Sequence, residues 1–329
     1  MNKAPLLELN SVSKLFEVGG GLFRKPSYIK AVENVSLQVY EGEAFSLVGE
    51  SGCGKSTLGR IMLGLAEPTY GEVLYRGKSI WRMNRAEFAE FRRSAQIIHQ
   101  DPYDALNPMR TIYGSLAPAI RRHRIARNSR ECRKIASELL ELVGLSPPED
   151  FLGRYPSRLS GGQMQRVAIA RAVCVEPSFI LADEAVSMLD ASLRINIVDL
   201  LLSLKDKFNM ACLFITHDFG IGRYFTRTGR AGVMYLGNVV EVASIEEILN
   251  QPIHPYTEVL ISVTPVPDPK LARASSLPPL RSLEIPSLIN PPPGCKFHTR
   301  CPYAEETCAE KVPDLVEVRP NHFVACHSR

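Results

Sequence analysis

The stretch Gly49-Glu50-Ser51-Gly52-Cys53-Gly54-Lys55-Ser56-Thr57, entered from the apolar run Ala44-Phe45-Ser46-Leu47-Val48, decides the fold. The run is short and ended by glycine, which suits a strand buried on both faces. The glycines let successive backbone N–H groups converge on phosphate oxygens, and a helix starting at the end of the stretch adds positive potential. In that frame Lys55 reaches the β and γ phosphates of a nucleotide and Ser56 ligates Mg²⁺. The stretch by itself specifies a phosphate cradle in an α/β sheet and leaves the class of enzyme to the remaining residues.

Two more runs of the same kind follow, Phe179-Ile180-Leu181-Ala182 and Ala211-Cys212-Leu213-Phe214-Ile215. The first ends in Asp183-Glu184. A carboxylate at such a strand end sits beside the phosphate loop of its sheet, so Asp183 is expected in the Mg²⁺ shell and Glu184 as the group that orients or deprotonates the attacking water. The second ends in Thr216-His217-Asp218, which offers His217 as a donor to the γ-phosphate in the transition state. Upstream, Leu6 to Leu9 and then Val35, Leu37 and Val39, alternating with Asn34, Ser36 and Gln38, read as a half-buried antiparallel sheet. A long helical stretch lies between the first and second buried runs, with Ile135, Leu139, Leu142 and Val143 at helical spacing.

Leu159-Ser160-Gly161-Gly162-Gln163-Met164-Gln165-Arg166 resembles the signature motif of ABC transporter ATPases, one class of P-loop NTPase. A serine hydroxyl, two unobstructed glycines and a helix N-terminus make a second anion site. The resemblance implies that Ser160, Gly161, Gly162 and Gln163 complete the nucleotide site of a facing subunit in a head-to-tail dimer. It implies further that Gln100 is the glutamine that senses Mg²⁺ and the nucleophile, that Ser187-Met188-Leu189-Asp190 is the D-loop with Asp190 at the dimer seam, and that Phe16 stacks on adenine, with Tyr28 as a rival. Ala185 stands where a proline is common, Met188 where a small residue is usual, and His99 where an aromatic or aliphatic residue is frequent. None of these removes a group needed for chemistry. Tyr103, Leu106 and Asn107 are expected in or near the groove that docks transmembrane partners.

Gln251-Pro252-Ile253-His254-Pro255-Tyr256-Thr257, the proline-rich stretch and the terminal cysteines resemble the C-terminal extension of the oligopeptide and dipeptide importer subfamily. The organisation implied is an α/β cassette over residues 1–240, with a mostly parallel core sheet, an antiparallel β subdomain and a helical subdomain at about 90–175, followed by an extension over 241–329 with a small Cys-rich module. Nine of the 24 prolines fall between Pro265 and Pro293, too dense for a regular element. Cys295, Cys301, Cys308 and Cys326 can hold Zn²⁺ or an iron–sulfur cluster. The wide spacing, Pro302 after the second cysteine and the resemblance to cluster-bearing relatives favour [4Fe-4S]; four reduced thiols are the metal-free alternative, and His298, His322 and His327 are expected at the surface.

The resemblance implies ATP and Mg²⁺ as ligands. The partners it implies are a second, different ABC ATPase subunit, two transmembrane permease subunits and an extracytoplasmic substrate-binding protein, with the chain on the cytoplasmic face of the membrane. Relatives with a similar tail serve oligosaccharides or nickel, so the cargo stays open. Composition agrees with a globular chain of 329 residues, 45% hydrophobic and 22% charged, whose net charge of +4 points to no partner. The arginines at 121, 122, 124, 127, 130 and 133 have no interleaved aromatics and read as a solvated face, not a nucleic-acid groove. No secretory signal precedes Leu9, and no apolar run has the length of a membrane span. The scattered Cys53, Cys132, Cys174 and Cys212 fit a reducing compartment. A DNA-repair ATPase would place hundreds of coiled-coil residues between Gly49 and Ser160, and ribosome-associated relatives usually carry two cassettes; this chain has one.

Overall fold

A computed structural model describes residues 4–19, 27–264 and 278–328. They divide into two compact units, one of Met1–Val39, Ala44–Trp81 and Thr216–Arg329, the other of Tyr40–Glu43 and Arg82–Ile215.

The first unit holds an antiparallel sheet in the order β2-β1-β4-β5, formed by β1 (Leu7–Val18), β2 (Ser27–Val39), β4 (Tyr70–Tyr75) and β5 (Lys78–Ser79). Val35, Leu37 and Val39 are buried as their alternation requires, and so are Leu7, Leu9 and Val12 on the neighbouring strand. In the same unit β3 (Ala44–Val48) runs parallel to β9 (Arg230–Tyr235), which turns at Leu236-Gly237 into antiparallel β10 (Asn238–Ser244). After β3 the chain rounds the phosphate loop into α1 (Lys55–Met62).

The second unit holds three parallel strands, β6 (Ala95–Ile98), β7 (Phe179–Asp183) and β8 (Ala211–Thr216), in that order. Between β6 and β7 lie the helices α3 (Pro102–Ala105), α4 (Ile112–Arg122), α5 (Ser129–Leu142), α6 (Glu149–Leu152) and α7 (Gly161–Val173). The crossover from β7 to β8 is α8 (Ala191–Phe208), closed by Asn209 in the left-handed region. The apolar spacing finds α5 but misplaces its inner face. The structure buries Cys132, Ala136, Leu139, Leu140 and Val143, whereas Ile135 and Leu142 are only half-buried. The reason is that small Cys132 and Ala136 admit a close neighbour, which a rule counting large apolar side chains overlooks. No helix among the described residues is long and apolar enough to cross a membrane.

The Cys-rich region is not a separate module. β12 (His322–Val324) pairs with β10, β11 (Val316–Arg319) pairs with β12, and the residues after 216 belong to the same compact unit as β1 and β3. Phe297 shares one core with Tyr235 of β9 and Tyr256 of α11 (Pro255–Ser262), with ring centroids 5.4 and 5.6 Å away. A segment of this length lacks the apolar area for a core of its own and completes one already begun. Pro265, Pro267 and Pro269 lie outside the described residues.

Candidate nucleotide site

The phosphate loop needs its glycines for two separate reasons. At Gly54 φ is 109°, and a Cβ would lie 2.1 Å from Ala31 O. At Gly49 the backbone angle is ordinary, but a Cβ would lie 2.2 Å from Met234 O. At these two glycines the loop is therefore pressed against its own unit with no room for a side chain. The Gly237 N–H donates to Cys53 O at 2.8 Å and holds the loop from the β9–β10 turn. Lys55 is buried, and its Nζ donates to Gly49 O (2.8 Å) and Glu50 O (2.9 Å). The cation is thus folded back over the stem of the loop. Burial pushes the Cys53 thiol up, against the pull of the Lys55 charge, so this cysteine is a space-filling apolar group. Ser51 and Gly52 are exposed, and Ser56 and Thr57 are half-buried.

His217 is exposed and precedes α9 (Phe219–Thr226), whose cap residue Asp218 accepts from the Gly220 and Ile221 N–H groups. A Cβ at Gly222 of that helix would lie 3.5 Å from the side chains of both Thr216 and Val48. The residues just before His217 and just before the phosphate loop therefore flank one point of α9. Phe16 and Tyr28 are 43% and 49% exposed, on paired strands. Phe16 pairs with Ile29 and Tyr28 with Glu17, and successive residues of a strand point to opposite faces. The two rings consequently lie on opposite faces of the ribbon, and a given adenine can meet only one.

In the second unit the register Ile98↔Ala182 places the residues after β6 beside those after β7. Gln100 Nε2 donates to Glu184 Oε2 at 3.3 Å. Glu184 has φ 46°, a left-handed conformation that is uncommon outside glycine, and its N–H donates to Ile215 O at 3.1 Å. Strain of this kind collects at functional positions. Ser187 Oγ donates to Glu184 O at 2.9 Å, and Arg194 donates to the carbonyls of Leu189 and Ser187, which secures the turn despite Ala185 in place of proline. Asp183 is buried at the strand end, while Met188 and Asp190 are exposed, Asp190 capping α8 with no side-chain hydrogen bond of its own.

Ser160 caps α7 in a reciprocal box: its Oγ accepts from the Gln163 N–H (3.3 Å) and Gln163 Oε1 accepts from the Ser160 N–H (3.1 Å). Gly161 and Gly162 follow with no positive φ, and a Cβ there would come no nearer than 3.6 and 3.5 Å to Leu189 and Leu193. The chain's own packing therefore requires neither glycine, and glycine in a helix costs about 0.5–1 kcal/mol relative to alanine. Gly162 is buried and Gly161 half-buried, so of the pair it is Gly161 that keeps backbone accessible at the start of α7.

Ser56 in the first unit offers a hydroxyl oxygen, and Asp183 and Gln100 in the second a carboxylate and a carboxamide oxygen, each a hard donor of the kind Mg²⁺ takes. The cysteine set fits a metal less well. Cys301 and Cys308 are buried and Cys295 and Cys326 half-buried. Burial pushes the Cys295 thiol up to about 11, opposed by a hydrogen bond from the Phe297 backbone and reinforced by the charges of the other three. Yet among the described residues no group of three or more His, Cys, Asp or Glu is arranged to hold a metal ion, so the expected [4Fe-4S] or Zn²⁺ site is not supported. His322 also departs from expectation: it is fully buried, with Nε2 2.7 Å from Glu241 Oε1, because β12 carries it inward against β10. Leu106 is buried and Tyr103 exposed, so of the residues expected in the docking groove Leu106 is a support and not a contact surface.

Residues 32–187 match the family model of the ABC transporter, and residues 240–308 that of the oligopeptide/dipeptide transporter C-terminal region. The oligopeptide transport ATP-binding protein AppF of Bacillus subtilis (strain 168) is 42% identical over 328 residues, which is 99% of this chain and 98% of that one. The oligopeptide transport ATP-binding protein OppF of Escherichia coli (strain K12) is 40% identical over 324 residues, covering 98% and 95%. Among solved structures, a dimeric post-hydrolysis state of the ATP-binding cassette MJ0796 bound to ADP and Pi aligns with TM-score 0.63 and 33% identity, over 73% of this chain and 98% of that one.

Proposed function

The chain belongs to the ABC transporter family as an ATP-binding subunit, and from that premise we propose that it hydrolyses ATP to drive an importer of oligopeptides or dipeptides. The observation that carries the chemistry is the pairing of Gln100 with Glu184 at the end of β7. Glu184 orients or deprotonates the attacking water, and Gln100, which donates to its carboxylate, senses Mg²⁺ and the nucleophile. The N–H groups of Ser51, Gly52, Gly54, Lys55, Ser56 and Thr57 cradle the phosphates, on a stem formed by Gly49, Glu50 and Cys53. Lys55 exchanges its two carbonyl partners for the β and γ oxygens, and His217 donates to the γ-phosphate as charge builds. Ser56, Asp183 and Gln100 would hold Mg²⁺, which would supply charge neutralisation for the phosphate oxygens.

Phe16 or Tyr28 stacks on adenine. Ser160, Gly161, Gly162 and Gln163 complete the nucleotide site of a second, different ATPase subunit, whose own signature segment completes this one, with Asp190 at the seam. The accessible helix start at Ser160 and Gly161 supports this reading, as does the dimeric state of the similar MJ0796 cassette. Two permease subunits carry the motion through the membrane from its cytoplasmic face, and an extracytoplasmic binding protein delivers the cargo. The same motor could serve oligosaccharides or nickel; the named relatives favour peptides.

Glu184→Gln tests the assignment. The variant is expected to bind ATP, accumulate as an ATP-bound dimer and lose turnover and transport. Unchanged turnover would remove Glu184 from its role. For the tail, the cluster rests on the cysteines of the sequence alone, since their arrangement among the described residues does not support a metal site. Iron and labile-sulfide analysis with visible absorption of anaerobically purified protein tests for it, and a colourless protein without iron or zinc leaves four reduced thiols.

A further inference from the structure

Glu50, the second residue of the phosphate loop, is held by residues some 200 positions further along the chain. Its N–H donates to the Tyr256 hydroxyl at 3.0 Å. Its carboxylate oxygen Oε1 lies 3.4 Å from Arg300 Nη1, which also reaches the Tyr235 hydroxyl at 3.4 Å. Its carbonyl accepts from Lys55 Nζ at 2.9 Å. Tyr256 is 0% and Arg300 5% exposed, and the Tyr256 ring lies 4.4 Å from that of Tyr235 and 5.6 Å from that of Phe297. Tyr256 is itself fixed: the His254 ring accepts from the Tyr256 N–H at 3.1 Å and caps α11, and the His254 N–H in turn donates to Glu241 Oε2 at 3.1 Å. Burial first, then the nearby Glu50 charge, pushes the Tyr256 hydroxyl well above the ordinary tyrosine range, so it remains a neutral partner.

A loop with glycine at 49, 52 and 54 has little stiffness of its own, while a cradle binds phosphate well only when its donors are already in place. We propose that Tyr256 and Arg300 are positioning residues for nucleotide binding: through Glu50 they fix the stem of the phosphate loop and the carbonyls on which Lys55 rests, so that the C-terminal extension sets the affinity for MgATP. The proposal rests on the reading of this loop as the ATP site.

The test uses the full chain, with MgATP binding measured by calorimetry, and the assembled transporter for turnover. Tyr256→Phe, which keeps the ring and removes the hydroxyl, is expected to weaken MgATP binding about 2- to 10-fold, the range of one lost hydrogen bond, and to raise KM by the same factor with kcat unchanged. Arg300→Gln has the same effect, Arg300→Lys recovers part of it, and Glu50→Gln combined with Arg300→Gln costs no more than either alone. A lower melting temperature with unaltered affinity in both Tyr256→Phe and Arg300→Gln would overturn the proposal and leave these residues a structural part only. Failure of the unsubstituted chain to bind MgATP would overturn the loop assignment and this proposal with it, whereas normal binding in every variant overturns this proposal alone.

Discussion

Replacing Glu241 by alanine isolates the group that fastens the extension to β10. The side chain is wholly buried, and its oxygens accept from the Ile253 N–H (2.9 Å) and the His254 N–H (3.1 Å) and meet His322 Nε2 at 2.7 Å. Among the described residues His322 Nδ1 has no hydrogen-bond partner, so the imidazole is held through Glu241. The substitution strands two backbone donors and a ring nitrogen in an apolar surround. Each orphaned buried group costs about 1–3 kcal/mol, and breaking a buried pair by removing one partner costs about 3–5 kcal/mol in all. At roughly 2–4 °C per kcal/mol for a body of this size, the melting temperature should fall on the order of 10 °C. Hydrogen exchange should show the amides of Ile253 and His254 losing protection first, since they lose their acceptor outright. Glu241→Gln, which keeps one carbonyl oxygen, should fall between the two. An alanine variant that melts with the parent, or that keeps protection at 253 and 254, would refute the reasoning.

Gly54→Ala should abolish MgATP binding in calorimetry, because a residue at φ 109° with its Cβ 2.1 Å from Ala31 O carries strain of at least about 1–3 kcal/mol; near-normal binding would show that the loop relaxes. Ser160→Ala removes the α7 cap and should cost about 1 kcal/mol in denaturant unfolding, while ATP-driven pairing of subunits, followed by gel filtration, should fail; intact pairing would detach Ser160 from the partner's site. Burial would raise the Glu33 carboxyl, but hydrogen bonds and charges from Lys30 and Lys296 (3.1 Å) overcome it and hold the group below its ordinary 4.5. A depressed carboxylate contributes stability that is complete above the unfolded value and lost as pH falls through the folded one. Lys296→Met should therefore reduce stability at neutral pH and begin acid unfolding at higher pH, and superimposable acid profiles would contradict this.

The nucleotide motifs were legible because each is a local demand on the backbone: Gly54 must adopt a positive φ, and Ser160 and Gln163 cap a helix within one turn. The parallel strands at Phe179 and Ala211 were legible from continuous apolar runs, but β6 was not, since Ala95-Gln96-Ile97-Ile98 is short and interrupted by a polar residue. The opposite faces of Phe16 and Tyr28 follow only from the strand register, which no single stretch reveals. Burial of His322 depends on Glu241, and fixing of Glu50 depends on Tyr256 and Arg300, residues far apart in the chain. Long-range polar partners leave no periodic trace. A signal for Tyr256 did exist in Gln251-Pro252-Ile253-His254-Pro255-Tyr256-Thr257, whose proline at the first helical position and capping histidine announce a helix start, although not what the tyrosine would meet.

The rings of Tyr235, Tyr256 and Phe297 pack at tilted and edge-on angles across what reads in sequence as the border between cassette and tail. A chain cut at residue 240 would keep Tyr235 and lose both of its aromatic neighbours, and Glu50 would lose the partners that hold its amide and its carboxylate. The extension is therefore not an accessory that can be trimmed, or exchanged between paralogous subunits, by splicing at the linker. Tail and phosphate loop form one packed unit, and a functional chimera would have to carry residue 50, residue 235 and the tail together.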